Sequence, residues 1–113
     1  MATYTKLVLS GSTSGKGIKV AATSTTGTTI HTAHATSLDE IWLYVVNTQA
    51  AAVKLTVEFG ETDAAGNIES TIPGESGLYL VVPGLILTGE LIITAFAGTE
   101  NVLIIHGFVN RIT

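Results

Sequence analysis

The chain has 113 residues, of which 46% are hydrophobic and only 12% are charged, and it contains no cysteine. A length of this order suits one domain with one core, so residues 1–113 are expected to form a single domain. The charged fraction is about half of the roughly 25% typical of soluble domains. So little charge predicts that part of the surface is covered by other protein molecules.

Charge and hydropathy also exclude several classes of partner. The net charge is −4, and the five Lys and Arg residues are scattered, which argues against binding to nucleic acid or to an anionic membrane. No apolar run approaches the roughly 20 residues that a membrane span needs. The first residues lack the pattern of a signal peptide, so we expect a protein made and kept soluble in the cytoplasm.

The predicted elements are all strands, because Gly, Thr and β-branched residues dominate and helical periodicity is nearly absent. In the first third we expect strands at residues 4–9, 18–22 and 28–33. Residues 10–37 are rich in Ser, Thr, Gly and Ala. This segment fits exposed strands, and it also fits a loosely ordered arm that folds on a partner.

From residue 38 onward the strand pattern is clearer. Strands are predicted at residues 40–47, 53–59, 68–72, 78–82, 91–96 and 102–110. Residues 53–59 alternate apolar and polar side chains, which is typical of a sheet with one solvent-exposed face. Many short strands joined by Gly, Pro and Asn turns favour an antiparallel β-sandwich or jelly roll.

Three of these strands are apolar on both faces, namely residues 41–46, 91–96 and 102–109. A sandwich buries only one face of each sheet, so the second apolar face is expected to contact another subunit. The residues predicted to form this subunit interface are Trp42, Tyr44, Val46, Leu103, Ile105 and Phe108.

Candidate chemistry is sparse. His31 and His34 would bind a metal only with further ligands such as His106 or Asp39, and residues three apart in a strand point to opposite faces. Solvent-facing or capping histidines are therefore the favoured interpretation, and no metal or cofactor is expected.

The acidic loop at residues 61–67 lacks the ligand spacing of an EF-hand. It is expected to be a hairpin connection in which Gly66 takes a positive φ.

No nucleophile motif or phosphate-binding loop is present, so no enzyme is predicted. Paired carboxylates of a glycosidase are not excluded, since Glu58, Glu61, Glu69 and Glu75 could converge in space. Trp42 and Tyr44 share one strand face and would form a sugar-stacking platform if that face were open. A place in the core or at a subunit interface is the favoured interpretation.

Three stretches carry a resemblance to a known class of proteins: DEIWLYVVN at residues 39–47, SGLYLVVPG at 76–84 and IHGFVNRI at 105–112. They resemble small structural proteins of tailed bacteriophages, in particular capsid decoration or head-cement proteins. The resemblance implies a β-sandwich that forms a homo-oligomer, commonly a trimer, on the outer phage head. Its partner would be the major capsid protein, and its location the virion.

The alternatives are a component of the phage tail, fibre or baseplate and, more distantly, a carbohydrate-binding module. If residues 1–9 form an arm, their unpaired backbone would add to a sheet edge of the coat protein. The residues predicted for this capsid-binding arm are Thr3, Tyr4, Thr5, Lys6 and Leu7.

Overall fold

The computed structural model describes residues 2–113 and contains two antiparallel sheets that pack face to face. This confirms the predicted antiparallel β-sandwich. The strands are β1 (Tyr4–Val8), β2 (Ile18–Lys19), β3 (Thr28–Thr32), β4 (Leu38–Asn47), β5 (Val53–Phe59), β6 (Asn67–Ile72), β7 (Tyr79–Leu87), β8 (Ile92–Ala97) and β9 (Leu103–Ile112). A short 3₁₀ helix, Ala64–Gly66, precedes β6. No helix within the described residues is long and apolar enough to cross a membrane.

The two sheets differ in their strand order. The five-stranded sheet has the order β1-β9-β4-β7, with β2 paired to β9 as well. The four-stranded sheet has the order β3-β8-β5-β6. Strands β4 and β9 are the longest and pair with each other over their full shared length, from Leu38–Ile112 to Asn47–Leu103. They form the centre of the five-stranded sheet.

The core lies between the sheets and follows the period of two that strands impose. In β4 the odd-numbered residues from Asp39 to Asn47 are buried, and the even-numbered residues point away from the core. The core side of β9 carries Leu103, Ile105 and Val109. Strands 41–46 and 102–109 were predicted to be buried on both faces, but only one face of each is buried within the chain.

Residues 3–7 do not form an arm, and this part of the sequence prediction is wrong. Strand β1 pairs antiparallel with β9 in an unbroken register from Tyr4–Ile112 to Val8–Phe108, and Leu9 is buried in the core. Alternating Thr, Tyr and Val side chains suit a strand, and β9 is long enough to hold β1 beside it. The segment is therefore an edge strand of the domain.

Strand β7 runs further than predicted, through Pro83 to Leu87. Its register against β4 shifts on both sides of the Trp42–Pro83 pair, between Ile41 and Trp42 and between Leu43 and Tyr44. Proline lacks the N–H that a ladder needs, and it is tolerated here because β7 is an edge strand.

The Ser- and Thr-rich segment is packed onto the rest of the domain. Val20 and Ile30 are fully buried, and the Val20 N–H donates to the Leu103 carbonyl. The Thr28–Thr32 strand pairs with β8. Two parts of the segment form strands, β2 and β3, and the rest consists of turns and loops.

Candidate interaction surface

One face of the five-stranded sheet points away from the core and is apolar across all its long strands. We call it the outer face, and it consists of the even-numbered residues of β1, β4 and β9 together with Leu80, Pro83 and Ile86 of β7. The pairings Trp42–Phe108, Tyr44–His106 and Val46–Ile104 place these side chains in adjacent rows. The outer face follows directly from the alternation that buries the odd-numbered residues.

Large apolar side chains on the outer face are strongly exposed. Tyr4 is 64% exposed, Val8 50%, Leu80 49%, Ile86 46% and Leu38 43%. Single exposed apolar residues are ordinary, but a contiguous apolar patch marks an interaction site or an aggregation risk. This sheet surface is therefore the candidate functional site.

Aromatic rings form the centre of the outer face. The rings of Trp42 and Phe108 are stacked, with centroids 6.0 Å apart and planes 11° apart. The Trp42 Nε1–H donates to Glu40 Oε1 over 2.7 Å, and the Lys6 ammonium lies 4.9 Å from the Phe108 centroid. These contacts hold the rings in one orientation while leaving both half-exposed, as expected of a preformed contact surface.

Gly84 leaves the space that the Trp42 ring occupies. It has φ +79°, and a Cβ at this position would lie 2.8 Å from Trp42 Cζ2. A side chain here would therefore meet the indole as well as strain the backbone. The close approach explains why the β7 backbone can pass beside a large aromatic ring.

The predicted interface residues divide into two groups. Trp42, Tyr44, Val46 and Phe108 lie on the outer face, half-buried, and their role as a subunit interface stays a prediction. Leu103 and Ile105 are 0% exposed inside the sandwich, so their assignment to an interface is wrong. They share the odd-numbered, inward side of β9 with Val109.

The opposite surface of the sandwich is more polar. On the four-stranded sheet Lys54 and Glu69 form an exposed ion pair of 2.9 Å. An open pocket of about 510 Å³ lies at one end of this sheet, with Leu91 and Ile92 beside the carboxylates of Glu61, Asp63 and Glu90. The apolar surface is thus concentrated on one sheet.

Glu58 is a buried carboxylate that the alternation in β5 does not predict. Its oxygens accept hydrogen bonds from Thr25 Oγ1, from Thr94 Oγ1 over 2.6 Å and from the Gly27 N–H over 2.8 Å. Burial acts to raise the pKa of Glu58, but these three hydrogen bonds outweigh it and lower the pKa. Glu58 fastens the segment around residues 25–27 to the four-stranded sheet.

A second buried cluster joins the two sheets. Asp39 Oδ2 lies 2.8 Å from His31 Nε2, and Arg111 donates to both Asp39 oxygens over 2.7 and 3.0 Å. His31 Nδ1 accepts the Ser10 N–H over 3.0 Å, so Nε2 carries the proton of a neutral ring and donates it to Asp39. The cluster connects β3, β4, β9 and Ser10, two residues after β1.

The charge of Asp39 is stabilised despite its burial. Burial acts to raise the pKa of Asp39, but the hydrogen bonds from Arg111 and His31 and the positive charge of Arg111 together lower it to about 2. The carboxylate is 0% exposed, and its charge is balanced by a bidentate guanidinium. These properties suit a structural tie.

The histidines are placed by the structure as follows. His34 Nδ1 accepts the N–H groups of Thr36 and Ser37 over 3.1 and 2.9 Å, which confirms a capping role. His31 was predicted to face solvent or to cap, and it is instead 1% exposed, because β3 directs it at Asp39. His106 lies on the outer face. Within residues 2–113 no three His, Asp or Glu side chains are grouped closely enough to hold a metal ion.

The acidic loop is a hairpin connection between β5 and β6, as predicted. The expectation for Gly66 is wrong, since Gly60 has the positive φ of this loop and Gly66 ends the 3₁₀ helix. A Cβ on Gly66 would lie 2.6 Å from Glu61 Cγ and 2.8 Å from the Glu61 carbonyl oxygen. Glycine is required at position 66 by close packing.

Comparison with protein-family models gives no match to this chain, and searches of curated proteins and of solved structures give no significant match. The class that the fold and the surface define is an antiparallel β-sandwich with one apolar sheet face. Its function is argued below from that face.

Proposed function

We propose that this protein is a viral structural protein that assembles through its outer face, and that it decorates and stabilises a bacteriophage capsid. The observation that carries the proposal is the exposed apolar surface of the five-stranded sheet, on which Tyr4, Val8 and Leu80 are each about half exposed or more. Contiguous apolar surface of this kind is a property of proteins that function in assemblies. The capsid role rests on the sequence resemblance described above.

Association would bury the outer face between copies of the chain, with the trimer implied by the resemblance as the proposed state. The outer face carries two charged side chains, Lys6 and Glu40, and Lys19 of β2 lies beside it, opposite Ile104. Lys6 already lies over Phe108, and Glu40 already accepts from Trp42. Burial of the apolar rows is therefore opposed by little desolvation of charged groups. Desolvation of charge is the cost that weakens charged interfaces.

Capsid stabilisation would follow from mass action. A protein that binds the assembled shell, but not its free subunits, shifts the equilibrium toward the shell. No catalytic step is needed for this function. The major capsid protein is the proposed partner, and the surface of the phage head is the proposed location.

Immunogold electron microscopy of virions that carry this chain tests the location. We expect antibodies against the chain to label the outer head surface. Label on the tail, fibre or baseplate would support the alternative structural role, and virions without label would contradict both. Virions lacking the chain serve as the control for antibody specificity.

Carbohydrate binding is a second candidate function, and it rests on the half-exposed, nearly parallel rings of Trp42 and Phe108 on an open sheet. Flat aromatic faces stack on sugar rings. A glycan array probed with the wild type and with Trp42→Ala tests this candidate. Binding that is lost in the variant would favour a carbohydrate-binding module.

A further inference from the structure

The free edge of β1 has regular hydrogen-bonding groups that no element within residues 2–113 covers. Thr3 and Thr113 exchange both backbone hydrogen bonds, each of 2.9 Å. Because hydrogen-bonded and non-hydrogen-bonded pairs alternate in an antiparallel ladder, Thr5 and Leu7 also face β9. The N–H and C=O groups of Tyr4, Lys6 and Val8 therefore point away from the sheet.

Other edge strands of the sandwich are protected. Strand β7 contains Pro83 and two register shifts. The edge of β3 is occupied, because the Ile30 carbonyl accepts the Gly11 N–H and the Thr32 N–H donates to Ser10 Oγ. Strand β6 lies against β4 and β7 of the other sheet.

Such devices are how proteins prevent edge-to-edge pairing. Strand β1 has no proline and no register shift against β9. Its one charged side chain, Lys6, has its ammonium group over the Phe108 ring of β9 and not beyond the edge. Its side chains are exposed except for Leu7, which is half-buried.

We infer that β1 of one molecule pairs antiparallel with β1 of a second copy, with Thr5 opposite Thr5. In this register Tyr4 lies opposite Lys6 of the second copy, and the edge-facing groups of these two residues meet as hydrogen-bonded pairs. A register centred on Lys6 would place two ammonium groups opposite each other, which is unfavourable. The charge of Lys6 thus disfavours the register centred on Lys6.

The pairing has a consequence for the outer face. A two-fold axis between the β1 strands stands perpendicular to the sheet, so it keeps the outer faces of both copies on the same side. The two five-stranded sheets then form one continuous sheet with a single, doubled apolar surface. The inference goes beyond the proposed function, since it concerns the sheet edge rather than the outer face.

A single cysteine tests the register directly, because the chain has none of its own. In a non-hydrogen-bonded pair the Cα atoms are about 4.5 Å apart, which is within disulfide range. We expect Thr5→Cys to form a covalent dimer in oxidised glutathione. Thr3→Cys is the matched control on the same side of the strand, and its two copies would lie about 13 Å apart along the strands.

The role of the backbone is tested in the Thr5→Cys background. Lys6→Pro removes the edge-facing N–H without touching the bonds to β9, whereas Lys6→Ala removes the charge and keeps the N–H. We expect Lys6→Pro to lower the rate of crosslinking roughly tenfold or more relative to Lys6→Ala. Circular dichroism of both variants checks that the sandwich is intact.

Equal crosslinking of Thr5→Cys and Thr3→Cys would show random collision and overturn the inference, as would equal rates for the proline and alanine variants. Absence of any Thr5→Cys dimer would also overturn it. Adding Leu80→Lys to Thr5→Cys separates this result from the proposed function. Crosslinking is expected to survive that change, because Leu80 lies on β7 and away from the β1 edge.

Discussion

Asp39 connects several separate segments through its hydrogen-bond partners. Its carboxylate holds Arg111 of β9, His31 of β3 and the backbone N–H of His34. A buried carboxylate is tolerated only when it is paired and hydrogen-bonded, and Asp39 is both. The stability of the sandwich should therefore depend on this one side chain more than on any exposed acid.

Asp39→Asn removes the charge that balances Arg111 while keeping the size of the side chain. We expect a loss of about 3 kcal/mol in the free energy of unfolding, because one partner of a buried ion pair is left without its counter-charge. Urea denaturation measures this loss in the free energy of unfolding. Asp63→Asn changes an exposed loop acid and should alter the free energy of unfolding by less than about 0.5 kcal/mol.

The pH dependence of stability follows from the same residue. The pKa of Asp39 falls from 3.8 to about 2 on folding, so its stabilising effect is complete above pH 4 and is lost as the pH falls toward 2. The loss attributable to Asp39 should be about 2 kcal/mol. Urea unfolding at several pH values between 6 and 2 should show a shallower acid decline in Asp39→Asn than in the wild type.

Glu58 acts in the same direction, since its pKa is also lowered. The Asp39→Asn variant should therefore keep part of the acid dependence. A wild type and a variant with identical slopes between pH 4 and pH 2 would contradict the assignment to Asp39.

The sequence predicts only part of these residue roles. Asp39 has the same parity as Ile41, Leu43 and Val45, so the alternation in β4 already places it on the inward side. Glu58 has the parity of the solvent-facing residues of β5, and its burial could not be predicted, because it depends on residues 25–27 folding over the sheet.

At the scale of the strands, the periodicity of apolar residues predicts well which segments form regular elements and that these elements are strands. Strand β5 has the predicted bounds, and the longest strands differ from prediction by only a few residues. Two errors have physical causes. The strand predicted at residues 78–82 ends before Pro83, whereas an edge strand tolerates proline. The arm hypothesis for residues 1–9 is wrong because the pairing of β1 with the distant β9 is not encoded locally.

Gly84 tests how closely β7 is fitted to the outer face. Both Gly84 and Gly77 have positive φ, +79° and +85°, but only Gly84 has a ring beside it. We expect Gly77→Ala to cost about 1 kcal/mol from backbone strain. Gly84→Ala should cost about 2–3 kcal/mol, since the clash with Trp42 is added.

Urea denaturation gives both free energies of unfolding, and Trp42 fluorescence reports the indole directly, since it is the only tryptophan. A shifted emission maximum is expected for Gly84→Ala alone. Equal costs for the two variants, with unchanged emission, would mean that the indole does not need the space at Gly84.

At the scale of the whole molecule, the central feature is the asymmetry between the two sheet surfaces. The sequence predicted an excess of apolar strand faces, and the structure places that excess on the outer face of one sheet. The alternation of side chains along each strand predicts which of its residues point to that face. The pairing of strands that are far apart in sequence brings Tyr4, Phe108, Trp42 and Leu80 into one surface. Only the structure shows this pairing.

The most direct test of the central claim compares two leucines of nearly equal exposure. Leu80 on the outer face is 49% exposed and Leu91 beside the acidic pocket is 48% exposed. Leu80→Lys places a charge in the proposed interface, where burial would remove it from water. Leu91→Lys makes the same chemical change next to the other sheet, one residue before β8.

Light scattering of the purified proteins at micromolar concentration gives the molar mass of each. We predict an oligomer for the wild type and for Leu91→Lys, and a clearly lower mass for Leu80→Lys. A wild-type protein that is a stable monomer, or a Leu80→Lys variant with unchanged mass, would contradict assembly through the outer face.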